Sequence, residues 1–151
     1  MLEKIKTKLF ETYNKDESKG LFFSLFDKDG NLLVSNGVLQ TDKSMKDLVE
    51  IISAGILDKE KWAVTAAIDV VTEVTQESDM QKLLWLSTKE YGVFLINNDP
   101  DASGQKSGIM LPNVKGVGDV KTALGLIKQK YEVSGNVMIY VFKTARMAFS
   151  L

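Results

Sequence analysis

The chain contains no cysteine and no histidine. The first absence removes disulfides, thiolate nucleophiles and Cys-ligated zinc or iron–sulfur clusters. The second removes the usual general base near neutral pH and the commonest metal ligand, so Ser-His-Asp triads and His-based metal sites are excluded. Any catalysis would rest on carboxylates, Lys, Tyr, Ser or Thr. Arginine is almost missing too: Arg146 stands alone among 19 basic residues. The others are lysines, the poorer choice for bidentate recognition of guanine, phosphate or carboxylate. With 20 acidic residues the formal net charge is -1, so no global field steers the chain to nucleic acid or to an anionic membrane. No apolar run approaches the ~18 to 20 residues that a membrane helix needs. The segment "MLEKIKTKLFETYNK" has no uninterrupted apolar core followed by a small-residue cleavage site. These absences together predict a cytoplasmic protein that uses neither nucleic acid nor membrane as a partner and carries no cofactor or metal.

What is present describes an ordinary folded domain. A chain of 151 residues, 44% hydrophobic and 26% charged with two prolines, is long enough to bury about two thirds of the surface its unfolded form would expose. One core is expected, in a single domain over residues 1–151.

Periodicity places the elements. Leu2, Ile5, Leu9, Phe10 and Tyr13 recur at three- and four-residue spacing, predicting a helix that ends near Asn14. The apolar runs from Leu21 to Asp27 and from Leu32 to Asn36 flank Asp29-Gly30, a dipeptide suited to the positive φ angles of a hairpin turn. Ser44 with Asp47 resembles a capping box, and Met45, Leu48, Val49, Ile52 and Ile56 predict a second helix ending near Leu57. Trp62, Val64, Ala66, Ile68 and Val70 alternate with Ala63, Thr65, Ala67 and Asp69, as in a strand with one buried face that runs on toward Val74. "DMQKLLWLST" predicts a short helix. A second hairpin follows, with strands from Tyr91 to Asn97 and from Gly108 to Pro112 around the polar loop "NDPDASGQKSG". Val117, Val120, Leu124, Ile127 and Tyr131 mark a last helix, and "NVMIYVFKTARM" closes the chain as a strand. The halves echo each other, and the simplest architecture is α+β: a mainly antiparallel sheet of two hairpin-helix-strand halves with packed helices.

On these residues the chain resembles the AMMECR domain family, whose members include stand-alone bacterial and archaeal proteins. "GLFFSLFDKDGNLLVSNGVLQ", Gly20 to Gln40, is similar to the family's "GxFVTLYKDGxLRGCIGTL" segment with the same turn, and the helix near Ser44 follows in register. "AVTAAIDVVTEVTQ" is similar to the family's middle strand. "YGVFLINNDPDASGQKSGIMLPNV" resembles its "HGLxVxxGxxxGLLLPQV" segment, with Gly92, Gly108, Leu111, Pro112 and Val114 on family positions and Asn113 where Gln is usual. On the family's "LRGCIG" this chain reads Leu32, Leu33, Val34, Ser35, Asn36 and Gly37, so the Arg, the first Gly and the Cys are lost. If that motif works through a guanidinium and a thiol, Leu33 and Ser35 cannot replace them, because Leu offers no donor and Ser is a far weaker nucleophile.

The resemblance implies a ligand- or partner-binding module, with Ser35, Asn36, Gly37, Asn97, Asp99, Pro112 and Asn113 as its candidate contacts. The alternative is a small enzyme or accessory subunit in a radical-type substrate modification, using carboxylate, Lys or Ser chemistry, because the family's domain occurs beside Memo-type and radical-SAM domains. Each candidate also has a plainer origin. Ser35 to Gly37 could be an edge-strand bulge eased by glycine. Asn97, Asn98, Asp99 and Asp101 could offer oxygen ligands to a divalent cation or form an ordinary solvated loop. "SGQKS" lacks the spacing of a phosphate loop, and "DKDGN" lacks the glycine and glutamate that a calcium loop needs. "GVGDV" is best read as the start of the last helix. Met110, Met138 and Met147 are expected as core or near-core fillers, and Trp62 and Trp85 as large packing residues.

Overall fold

The computed structural model of the chain describes residues 1–97 and 106–151. Its elements run α1 Leu2–Thr12, β1 Leu21–Phe26, β2 Leu32–Val38, α2 Met45–Ala54, a 3₁₀ turn Leu57–Trp62, β3 Thr65–Gln76, α3 Met80–Trp85, β4 Gly92–Asn97, β5 Ser107–Met110, α4 Val120–Tyr131 and β6 Val137–Ser150. The strands hydrogen-bond in the order β2-β1-β3-β6-β4-β5. Helices on an antiparallel sheet make this an α+β fold. No helix among the described residues is long and apolar enough to cross a membrane.

Local chemistry explains the elements. In the first hairpin the Asp27 carboxylate accepts from the backbone N–H of Asp29 and of Asn31, both at 2.9 Å, while Gly30 takes φ 80. That side chain is committed to its own turn. Helix α2 starts where Ser44 Oγ accepts from the Asp47 N–H at 3.3 Å, and α4 where the Asp119 carboxylate accepts from the Thr122 N–H at 2.7 Å. Helix α4 closes on Glu132, which sits in the left-handed region at φ 55.

Two compact units share the chain. The first comprises Met1–Thr72 with Ala145–Leu151, the second Glu73–Thr144, so β3 and β6 each give residues to both. In the first, β1 pairs residue for residue with β3 from Leu21↔Val70 to Phe26↔Thr65. In the second, β4 pairs with β6 in the same way from Gly92↔Phe142 to Asn97↔Val137. The single core expected from length is two apolar clusters. In the first unit Ile5 and Leu9 of α1 and Leu48, Val49 and Ile52 of α2 cover Leu21, Phe23, Leu25, Ile68 and Val70. In the second, Leu83 of α3 and Val120, Ala123, Leu124 and Ile127 of α4 cover Val93, Leu95 and Val141. Each such side chain taken fully out of water contributes about 1.5 to 3 kcal/mol, and each helix spends its apolar stripe on its own half of the strands. Met147 packs against the first cluster and Met110 against the second, as gap-filling methionines should.

Strand alternation leaves each unit a reverse face, turned from these helix-facing residues. In the first it carries Phe22, Ser24, Ala67 and Asp69. In the second it carries Phe94 and Tyr140, whose rings meet at 6.0 Å and 55°.

Three expectations need correction. Helix α2 stops at Ala54, and the alternation that began at Trp62 belongs partly to the 3₁₀ turn, so β3 starts at Thr65. Strand β3 has two buried faces, with Ala67 and Asp69 at 2% and 0% exposure beside Ala66 and Ile68. Neither tryptophan is a packing residue: Trp62 is 52% exposed and Trp85 89%. The ammonium groups of Lys59 and Lys61 lie 5.5 and 4.1 Å from the Trp62 ring centre, and in short α3 Leu83 takes the buried position.

Candidate functional site

The triplet Ser35, Asn36 and Gly37 lies on β2, the outer strand beside β1. Alternation divides it. Asn36 turns to the helix side, where its Nδ2 donates to the Ile52 carbonyl at 3.0 Å and so latches the end of α2. Gly55 is needed there, because a Cβ on it would strike the Asn36 amide. Gly37 faces the other way, and a Cβ on it would collide with the Leu21 carbonyl oxygen and the Phe22 ring. Glycine at 37 therefore lets Phe22, 3% exposed, lie across β2. A bulge is present on β2 but falls at Leu33, since Leu25 pairs with Val34 and Phe26 with Leu32.

Ser35 is the member of the triplet open to solvent. It stands opposite Ser24 of β1, and the buried Ser24 hydroxyl donates to Ser35 Oγ at 3.1 Å. Ser24 stands opposite Ala67, and Phe22 opposite Asp69, so both β3 residues share this face.

Asp69 is the group that sequence reasoning missed. Its side chain is 1% exposed, and the lone arginine of the chain closes over it. Arg146 Nε donates to Oδ1 at 3.0 Å and to Oδ2 at 3.2 Å, and Nη2 donates to Oδ2 at 2.9 Å. A buried carboxylate needs such a charge-assisted partner. The Arg146 side chain is 33% exposed, so this pair reaches solvent through the arginine. The reverse face of the first unit thus holds a serine hydroxyl pair and an anchored guanidinium on β2, β1, β3 and β6.

The remaining candidates lie in the second unit. Asp99 is outside the described residues, as are Asn98 and Asp101. Asn97 is buried at the end of β4, with its N–H on the Lys106 carbonyl at 2.8 Å. Pro112 is buried, and Asn113 takes the left-handed φ of 62 in the turn after β5. The Asn113 N–H donates to the Thr88 carbonyl at 2.8 Å, and the Thr88 hydroxyl donates to the Val117 carbonyl at 3.1 Å. These contacts fasten a turn. The shallow apolar concavity beside it is bordered by Thr88, Tyr91, Met110, Leu111, Val114 and Val117.

Shifted ionisable groups have local structural causes. Hydrogen bonds from the Asn31 backbone hold Asp27 below the usual carboxylate range, and those from the Thr122 backbone do the same for Asp119. Lys6 is raised by its contact with Glu50, and Lys143 by its hydrogen bond with Tyr91. Among the described residues no group of three or more carboxylates is placed to hold a metal ion.

No model of a known protein family matches the chain, and no curated protein matches it. Its fold is similar to that in the crystal structure of an uncharacterised protein from Pyrococcus horikoshii, with 13% sequence identity and a TM-score of 0.70 over 89% of this chain and 75% of that one. At this identity the likeness shows the fold alone.

Proposed function

We propose that this chain is an AMMECR-like module that binds a small ligand without transforming it, and that the polar reverse face of the first unit is its binding surface. The observation that carries this is the anchored guanidinium of Arg146 on the face where Ser35 offers its hydroxyl. On the family pattern Ser35 occupies the Cys position of "LRGCIG", so the resemblance and the geometry point to the same face. The exchange of Cys for Ser, and of the motif Arg for Leu33, favours holding a ligand over attacking one. Asn36 and Gly37 support this face from below, Asn36 by latching α2 and Gly37 by admitting Phe22.

Native mass spectrometry of the protein purified from its own or a related cytoplasm tests this. A retained small molecule, lost or weakened in Ser35→Ala, is the expected result. An empty monomer, or a complex containing a second protein and no ligand, would refute the small-ligand reading.

A further inference from the structure

We propose that the outer edge of the Arg146 guanidinium receives a planar carboxylate of a small ligand. This rests on the ligand-binding reading above and names the chemistry that reading leaves open. A guanidinium carries five N–H donors in one plane. Asp69 occupies the inner edge, made by Nε and Nη2, and among the described residues the three hydrogen bonds of Arg146 all go to that carboxylate. The edge shared by Nη1 and Nη2 keeps two parallel N–H groups at the spacing of two carboxylate oxygens.

The choice of residue supports a recognition role. Neutralising a buried acid requires only a cation, and the chain uses lysine at every other basic position. Arginine differs in being planar, permanently charged and able to bond along two edges at once. Stability alone explains the pair poorly, because a buried ion pair is commonly matched or exceeded by well-packed apolar residues of similar volume. Held by three contacts between 2.9 and 3.2 Å, the side chain already has its orientation fixed, so a ligand meets little of the usual cost of ordering a long arm. Asp69 is shielded at 1% exposure, so the part of the pair that an incoming anion can reach is the arginine. Ala148, two residues on along β6 and on the same face, is exposed and adds no bulk beside the edge. Since the Arg146–Asp69 pair is neutral overall, recognition would depend on short-range geometry more than on a long-range field.

The single arginine makes the test direct. In a nitrogen–proton correlation NMR spectrum of the intact protein, all guanidinium resonances belong to Arg146. Titration with sodium acetate and sodium succinate, against sodium chloride and sodium sulfate at matched ionic strength, should move these resonances saturably with the carboxylates alone. In Arg146→Lys, followed through the backbone amides of β6 because no guanidinium remains, the affinity should fall about tenfold or more, as expected when charge-assisted hydrogen bonds are lost. The wild-type titration decides the matter even if that variant does not fold. Equal shifts with chloride or sulfate, or none with any salt, would overturn the assignment. A ligand retained in the native mass spectrum of a protein whose Arg146 resonances ignore carboxylates would overturn it too, while leaving the ligand-binding reading in place.

Discussion

The two units use one grammar with different reverse faces. Each is a hairpin, a helix and a strand, and each pairs six residues of its hairpin with the first half of a long strand. Their helix-facing sides are alike, aliphatic and buried. Behind them, the first unit presents Ser24, Ser35, Asp69 and Arg146, whereas the second presents Phe94 against Tyr140. The helix-facing residues give both halves the same aliphatic burial, so the two units differ chiefly in what occupies their reverse faces. An ion pair on one reverse face and aromatic rings on the other are therefore more informative about use than either core.

The strongest way to break this comparison is to remove the cation. Arg146→Ala should cost about 3 to 5 kcal/mol in urea unfolding because it strands a buried carboxylate, while Asp69→Leu combined with Arg146→Met should recover most of it. A small loss in the single variant would mean that the first reverse face is as permissive as an apolar one. Next come two glycines that lie against phenylalanine side chains. Gly37→Ala meets a backbone carbonyl as well as Phe22 and should cost about 2 kcal/mol, against about 1 kcal/mol for Gly92→Ala, whose nearest contacts are all in the Phe142 ring. Equal midpoint shifts would show that the carbonyl moves as readily as the ring. Asn36→Ala, which loses the latch on α2, should cost about 1 kcal/mol, and Ser35→Ala less than about 0.5 kcal/mol. Thermal melts that ranked them the other way would reverse the roles given to these neighbours.

The smallest effect is a difference in acid sensitivity. Helix α2 is capped by a neutral serine and α4 by a carboxylate with a lowered pKa. A lowered folded-state pKa adds stability above the unfolded value, and that stability is lost as pH falls through the folded one. Asp119→Asn keeps a cap acceptor but should flatten the stability profile at acid pH, whereas Ser44→Asn should leave its shape unchanged. Amide exchange in α2 and α4 across that range would separate the two.

The backbone of this fold was legible where the signal is local. Asp29-Gly30 marks the first hairpin because few dipeptides accept its φ angles, and Ser44 marks the start of α2 because a cap acts over three residues. The division into two cores was not legible, since periodicity tells which side of a helix is apolar and not which strands it covers. The Asp69–Arg146 pair was hidden for a stronger reason: 77 positions separate its members. Alternation predicts Asp69 on the face away from Ala66 and Ile68, and burial of that second face is not carried by the pattern. Of the candidate contacts, Ser35 faces solvent, while Asn36, Gly37 and Asn113 also serve the latch, the close approach and the turn around them. Polar residues at strand ends look the same in sequence whether they serve a ligand or the backbone.

Trp85 lies almost wholly in solvent and Trp62 about half so. The protein's ultraviolet emission should therefore already resemble that of an unfolded chain, and unfolding should change its colour little. That makes tryptophan a poor gauge of folding here and Trp85 a sensitive one for anything that settles on α3, whose arrival would shift an otherwise quiet spectrum toward the blue.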